Sequence, residues 1–190
     1  YPGKLYPVHP KAETLHGLKT FRSILEIPEP VDYVISAIPA RQVPQLMRDC
    51  VSAGVKTVTV FTSGFSELGT PEGVRLEREI AEIARRGGIS LIGPNCLGLH
   101  CPKAGVSLEP SIPKLSGNVG FLAQSGGNAR EIIISAAERG VFISKGVSFG
   151  NAADLNESDY LEYLTTDADT EIIAAYIEGA KEPARFARAP

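Results

Sequence analysis

The stretch VDYVISAIPARQVPQLMRDCVSAGVKTVTVF, residues 31–61, decides the fold. It opens on VDYVISAI (31–38), a short run of β-branched and apolar residues, and closes on another, VKTVTVF (55–61). Between them Val43, Leu46, Met47, Cys50 and Val51 fall at i, i+3, i+4, i+7 and i+8. That spacing lays one apolar stripe along a helix, which Gly54 can end. Strand, helix and strand in this order read as a βαβ unit, which makes its two strands parallel.

The pattern extends outward in both directions. KLYPV (4–8) and GISLI (88–92) read as further strands, and Leu76, Ile80, Ile83 and Ala84 share one face of a charged helical segment over 71–86. Thr70 is placed to cap that helix, Pro71 suits its first position, and Glu72 favours its positive end. Apolar strands separated by helices imply a parallel sheet covered on both faces. Ligands of such sheets bind at the carboxyl ends of the strands.

Residues 101–117, CPKAGVSLEPSIPKLSG, contain three prolines and no sustained period, as a connection between domains does. Alternation then restarts: strand NVGFLAQ (118–124), helix NAREIIISAAERG, strand ISKGVSFG (143–150), helix ESDYLEYLTTD, strand TEIIAAYIEG (170–179). The expectation is two α/β domains, residues 1–113 and 114–190. The first opens without the strand and glycine-rich turn that begin a doubly wound domain, and the second stops as a helix begins. Both are therefore expected to be incomplete, the first at its N-terminus and the second at its C-terminus.

Composition narrows the function. With 43% hydrophobic and 22% charged residues the chain is ordinary for a globular protein. Its 19 basic and 22 acidic residues are interspersed, without a basic run, which argues against nucleic acid. No apolar stretch reaches the length of a membrane span and no secretory signal opens the chain, so a cytoplasmic protein is expected. Cys50, Cys96 and Cys101 are odd in number and scattered, which fits a reducing compartment. Cys96, His100 and Cys101 lack the paired spacing of a zinc site, and Glu157, Asp159, Glu162 and Asp167 read as a solvated acidic face. No metal is expected.

The strand ends carry the candidate chemistry. In order they are Val8-His9-Pro10-Lys11, Ser36-Ala37-Ile38-Pro39-Ala40, Phe61-Thr62-Ser63-Gly64-Phe65-Ser66-Glu67 and Gly93-Pro94-Asn95-Cys96. Each such turn alone is explained by its bend. Four in succession make a rim where a ligand can approach backbone closely, with one lysine able to meet a phosphate.

The runs GKLYPVHPK, IPA (38–40), TSGFSE (62–67), IGPNCLG (92–98), FLAQSGGNA (121–129), VSFGNAADLNESDYLEYL (147–164) and AAYIEG (174–179) resemble the CoA-binding and ligase-like domains of NDP-forming acyl-CoA synthetases. Succinyl-CoA synthetase α subunits are more distantly similar. The resemblance covers nearly the whole chain in order. It implies a Rossmann-like CoA-binding domain followed by a flavodoxin-like ligase domain, with CoA contacted by Pro10, Lys11, Ile38, Pro39, Ser63, Gly64, Gly93, Pro94 and Asn95. It further implies a phosphate site at Gln124, Ser125, Gly126 and Gly127, which a helix N-terminus would suit physically. Glu178 matches the glutamate that orients the family's phosphorylated histidine.

The implied reaction interconverts acyl-CoA, nucleoside diphosphate and phosphate with carboxylic acid, CoA and nucleoside triphosphate, through an acyl phosphate and a phosphohistidine. The resemblance thus makes the chain part of an acid–thiol ligase. Of the three histidines, His9, His16 and His100, none follows Glu178, where the family carries its nucleophile. ATP or ADP and Mg²⁺ are implied only through an ATP-grasp β-type subunit or domain, and an oligomer is expected. Two other readings stand beside this one. A non-catalytic CoA-binding sensor would account for the missing histidine. A nicotinamide-dependent oxidoreductase is suggested by fold class alone, and His9, Pro10 and Lys11 stand where that class needs an acidic residue for the ribose.

Overall fold

Residues 1–107 and 109–188 are described by the structure, a computed structural model. An N-terminal hairpin, β1 (Thr14–Leu15) and β2 (Leu18–Lys19), precedes β3 (Tyr33–Ser36), α1 (Val43–Ser52), β4 (Thr57–Val60), α2 (Pro71–Gly87) and β5 (Ser90–Ile92). Strands β3, β4 and β5 form a parallel sheet in that order, as the βαβ reading of 31–61 requires. Gly54, at φ 74°, follows α1 in the left-handed conformation that glycine adopts at least cost. Thr70 accepts the Gly73 N–H, a cap worth about 1 kcal/mol.

Alternation along the strands assigns the two faces. Val58, Val60 and Leu91 pack with Val43, Met47 and Cys50 of α1 and with Leu76, Ile80 and Ala84 of α2. Full burial of each large side chain here contributes about 1.5–3 kcal/mol. The next residue, Ile92, points the other way, into a second cluster with Leu122, Val147, Phe149 and Tyr160. At β5 the opposite face of the first sheet is thus covered by the second half of the chain, while Ile35 on β3 stays 47% exposed.

That half contains β6 (Gly98–Cys101), β7 (Val106–Ser107), β8 (Val119–Ala123), α3 (Gly126–Ala137), β9 (Ile143–Ser148), α4 (Glu157–Thr165), β10 (Ile172–Tyr176) and α5 (Pro183–Phe186). Its sheet runs β10-β8-β9-β6-β7, parallel across β10, β8 and β9 and antiparallel at β6 and β7. Val119, Phe121 and Ala123 of the central strand meet Ala129 and Ile133 of α3. Leu122, facing the other way, meets Tyr160 and Leu164 of α4. One helix therefore covers each face.

Two sequence expectations change. KLYPV does not form a strand: Val8 makes one isolated parallel bridge with Phe21. Pro7 and Pro10 flank it without N–H groups, which leaves little ladder to build. The chain also passes between the sheets ahead of the proline-rich connection, because β6 already pairs into the second sheet, and β7 within that connection pairs onto β6.

Candidate functional site

The carboxyl ends of β3, β4 and β5 lie on one edge because the strands are parallel, and three turns leave there. Hydrogen bonds join them in series. The Thr62 hydroxyl donates to the Ile38 carbonyl at 2.7 Å, linking the Ile38-Pro39 turn to the Ser63-Gly64 turn. The Asn95 N–H donates to the Thr62 carbonyl at 3.0 Å, linking that turn to Gly93-Pro94-Asn95.

The density of special residues in the third turn has a steric explanation. Gly93 sits at φ 99°, and a Cβ there would lie 2.8 Å from both the Val60 carbonyl oxygen and Cys96 Sγ. Pro94 is fully buried. Asn95 adopts φ 56°, the left-handed region that asparagine enters more readily than most residues. Of the expected rim residues, Ile38, Pro39, Ser63, Gly64, Gly93, Pro94 and Asn95 are brought together in this way.

Pro10 and Lys11 belong to a separate N-terminal segment. His9 Nδ1 accepts the N–H groups of Lys11 and Ala12, at 3.1 and 2.8 Å, and Arg22 donates to the Pro10 carbonyl at 2.6 Å. The Lys11 side chain is left exposed. Among the described residues no hydrogen bond joins this segment to the three turns.

The second half supplies a different feature. Ser125 caps α3 by accepting the Asn128 N–H at 3.3 Å, while the Gly126 and Gly127 N–H groups find no partner among the described residues. Gln124 is occupied elsewhere. Its Oε1 accepts the N–H groups of Glu178 and Gly179, the latter at 2.9 Å, and its Nε2 donates to the Gly179 carbonyl at 2.9 Å. One amide therefore clamps the turn that carries Glu178 beside the first turn of α3.

Sequence reasoning gave Glu67 no part beyond its place in the strand-end rim, gave Asn151 none, and read Glu157 as solvated. Glu67 accepts the Gly64 and Phe65 N–H groups, at 2.5 and 3.1 Å, and an Asn151 amide hydrogen at 2.5 Å. Burial opposes its charge, but Asn151 and the Gly64 and Phe65 N–H groups outweigh that and hold Glu67 below the ordinary carboxylate value. Glu157 corrects the reading of a solvated acidic face, because it is 0% exposed. Its Oε1 accepts the N–H groups of Lys181 and Glu182, at 2.7 and 3.3 Å. Asp159 and Glu162 instead pair with Arg185, and Asp167 with Lys145.

The cysteines and His100 serve packing. Cys96 is 4% exposed, its thiol directed at the Val60 and Ile92 carbonyls. Burial pushes Cys96 and Cys50 up to about 12. Burial also lowers His100, whose Nδ1 lies 3.2 Å from Ser107 Oγ. Iodoacetamide near neutral pH is expected to modify half-buried Cys101 first and to spare Cys50 and Cys96, as read by peptide mass spectrometry, because the thiolate is the nucleophile. Prompt labelling of Cys96 in folded protein would contradict this packing.

A parallel sheet with a turn-lined carboxyl edge, backed by a second α/β layer that presents a helix N-terminus, defines the class of α/β protein that binds ligands at its strand ends. Residues 2–102 match the family described as CoA binding domain, and the chain belongs to that family. Residues 116–190 match the succinyl-CoA ligase like flavodoxin domain.

Among its relatives is the alpha subunit of acetate–CoA ligase [ADP-forming] II of Pyrococcus furiosus, 40% identical over 184 residues, which cover 97% of this chain and 40% of that subunit. Acetate–CoA ligase [ADP-forming] I of Archaeoglobus fulgidus is 39% identical over 189 residues, or 99% of this chain and 27% of that protein. The dinucleotide forming acetyl-coenzyme A synthetase 1 of Ca. Korarchaeum cryptofilum, solved with phosphate and ADP, superposes with a TM-score of 0.88 at 35% identity, covering 97% of this chain and 40% of that one. The chain thus spans less than half the length of these relatives. The α/β class and the family resemblance read from the sequence both stand.

Proposed function

We propose that this chain is the CoA-binding, α-type part of an NDP-forming acyl-CoA synthetase, with residues 1–113 as the CoA-binding unit and 114–190 as the ligase-like unit. On this division β6 and β7 are a segment of the first unit that pairs onto the sheet of the second. The observation that carries the proposal is the Ile38–Thr62–Asn95 series of hydrogen bonds, which makes three turns one continuous edge in a chain of this family. Ile38, Pro39, Ser63, Gly64, Gly93, Pro94 and Asn95 would line CoA there. Asn95 can both donate and accept through its amide. Pro10 would shape the approach, and the exposed Lys11 ammonium would meet a phosphate.

Phosphate would sit on the N–H groups of Gly126 and Gly127, where the positive helix end favours an anion. Glycine loses more conformational entropy on folding than alanine does. A Cβ on Gly127 would have nothing within 4 Å, so packing does not require glycine there, whereas close approach of an anion would. Ser125 would complete the cradle, and Gln124 would act through the turn it clamps. Glu178 would accept the ring N–H of a histidine, fixing the tautomer whose other nitrogen takes the phosphoryl group. That histidine would come from outside these residues, as would the ATP-grasp partner holding ADP or ATP. Mg²⁺ would be held with the nucleotide by that partner. No described helix is long and apolar enough to cross a membrane. The enzyme would act in the cytoplasm on acyl-CoA or a free acid.

A CoA-binding sensor is the second reading, favoured by where the histidines lie: His9 is folded into its own turn and His100 is buried. Isothermal titration with CoA and with NAD tests the feature common to both readings. Saturable heat with CoA and none with NAD is expected; the reverse preference would make the chain a nicotinamide-binding protein. Adding an ATP-grasp subunit, ADP and phosphate to the full natural chain then separates ligase from sensor by whether acyl-CoA is consumed.

A further inference from the structure

The segment Phe149–Leu155 leaves the second sheet and runs antiparallel along β5 of the first. The Asn151 N–H donates to the Pro94 carbonyl at 3.0 Å, that of Ala153 to Gly93 at 3.0 Å, and that of Leu155 to Leu91 at 3.3 Å. The Leu91 N–H donates in return to Asp154 Oδ2 at 3.0 Å. These bonds fix the Asn151 backbone against the third turn of the edge, and its carboxamide then reaches the other groups around it.

Asn151 Nδ2 lies 2.5 Å from Glu67 Oε2, 2.7 Å from Glu77 Oε2 and 3.4 Å from Ser66 Oγ. Asn151 Oδ1 accepts from Asn95 Nδ2 at 3.3 Å. Glu77 also holds the Ser66 N–H and hydroxyl, at 3.2 and 2.6 Å, and Glu67 holds the Gly64 and Phe65 N–H groups. Two carboxylates that would repel each other are joined by one neutral amide donating to both, in charge-assisted hydrogen bonds. Through them it fixes the backbone of the Ser63–Glu67 turn, and through Asn95 it fixes the orientation of the third turn's side chain.

We propose that Asn151, contributed by the ligase-like unit, is a positioning residue for the CoA-binding edge: it sets the Ser63–Glu67 and Gly93–Asn95 turns relative to each other without itself needing to touch the ligand. The inference rests on the reading that this edge binds CoA. A consequence is linkage. Whatever draws the second unit away from the first loosens the edge, and a ligand that favours the ordered edge tightens the contact between the units, because such coupling is reciprocal.

The test is CoA titration of the whole chain, with thermal unfolding as a control for folding. Asn151→Ala is expected to weaken CoA binding about tenfold, the scale of a lost hydrogen bond to a charged group. Asn151→Asp keeps the shape but sets a third carboxylate against Glu67 and Glu77, so it is expected to weaken binding more than alanine does. Adding Glu67→Gln to Asn151→Asp supplies a donor from the opposite side and is expected to recover part of the loss. A residue that merely fills space would give the opposite order, with aspartate tolerated better than alanine and no recovery in the double variant. That outcome, or unchanged affinity in Asn151→Ala, overturns the inference while leaving the CoA reading intact. Absence of CoA binding by the unsubstituted chain overturns both. Should Asn151→Ala fail to fold, the comparison of Asn151→Asp with the double variant decides alone.

Discussion

Gly150→Ala is expected to destabilise the protein by about 3 kcal/mol or more, in the range reserved for core and backbone lesions. Gly150 sits at φ 54°, and an added Cβ would lie 2.2 Å from the Pro94 carbonyl oxygen and 2.3 Å from that of Asn95. Both clashing atoms are backbone and neither can rotate away. The strain therefore falls on the Gly93–Asn95 turn or on the contact between the two units. Gly140→Ala provides the control, since Gly140 is at φ 77° with nothing within 4 Å of the added carbon. It is expected to cost only about 1–2 kcal/mol, the left-handed penalty alone. Denaturant unfolding of the two variants measures the difference, which is the clash. Equal costs would show that the Phe149–Leu155 segment yields freely, and CoA affinity should then survive Gly150→Ala as well.

The second large effect is expected at Glu157. Removal of this carboxylate by Glu157→Ala strands the Lys181 and Glu182 N–H groups and empties a fully buried site. Loss of the shared acceptor and the cavity left in the buried site together are expected to cost about 3 kcal/mol. At roughly 2–4 °C per kcal/mol for a domain of this size, the melting midpoint should fall by about 6–12 °C. Glu157→Gln retains a side-chain oxygen where Oε1 accepts both N–H groups, and should lose less than half of that. Hydrogen exchange localises the effect. In Glu157→Ala the amides of residues 181–182 are expected to lose protection, while those of Glu178 and Gly179, held by Gln124, keep most of theirs. Equal loss of stability in the alanine and glutamine variants would mean that the buried volume, rather than the acceptor, is what matters.

Both predictions concern residues to which the sequence assigned no role, and the reason is physical. In the chain text Glu157 lies beside Asp159 and Glu162 and shares their acidic character. It is buried because the loop after β10 folds over the start of α4 and delivers two N–H groups to one oxygen. Periodicity reports which face of an element is apolar, not which distant backbone needs an acceptor. Gly150-Asn151, likewise, reads as an ordinary turn after a strand. Its meaning comes from contacts such as that between Asn151 and Glu67, 84 positions apart.

What the sequence determined by itself is local and periodic. The stripe Val43, Leu46, Met47, Cys50 and Val51, the Thr70-Pro71-Glu72 start and the apolar strands around them were sufficient for a parallel α/β layer, since hydrophobic spacing dictates secondary structure and its buried face. The turn residues at the strand ends located the edge, because parallel strands must all leave it on the same side. Only the tertiary structure decided how the two halves fit. It pairs β6 and β7 into the second sheet, lays Phe149–Leu155 along β5, and leaves KLYPV without a ladder. Each of these depends on hydrogen-bonding groups far apart in the chain finding one another once the cores have formed, and no local pattern of residues encodes that choice.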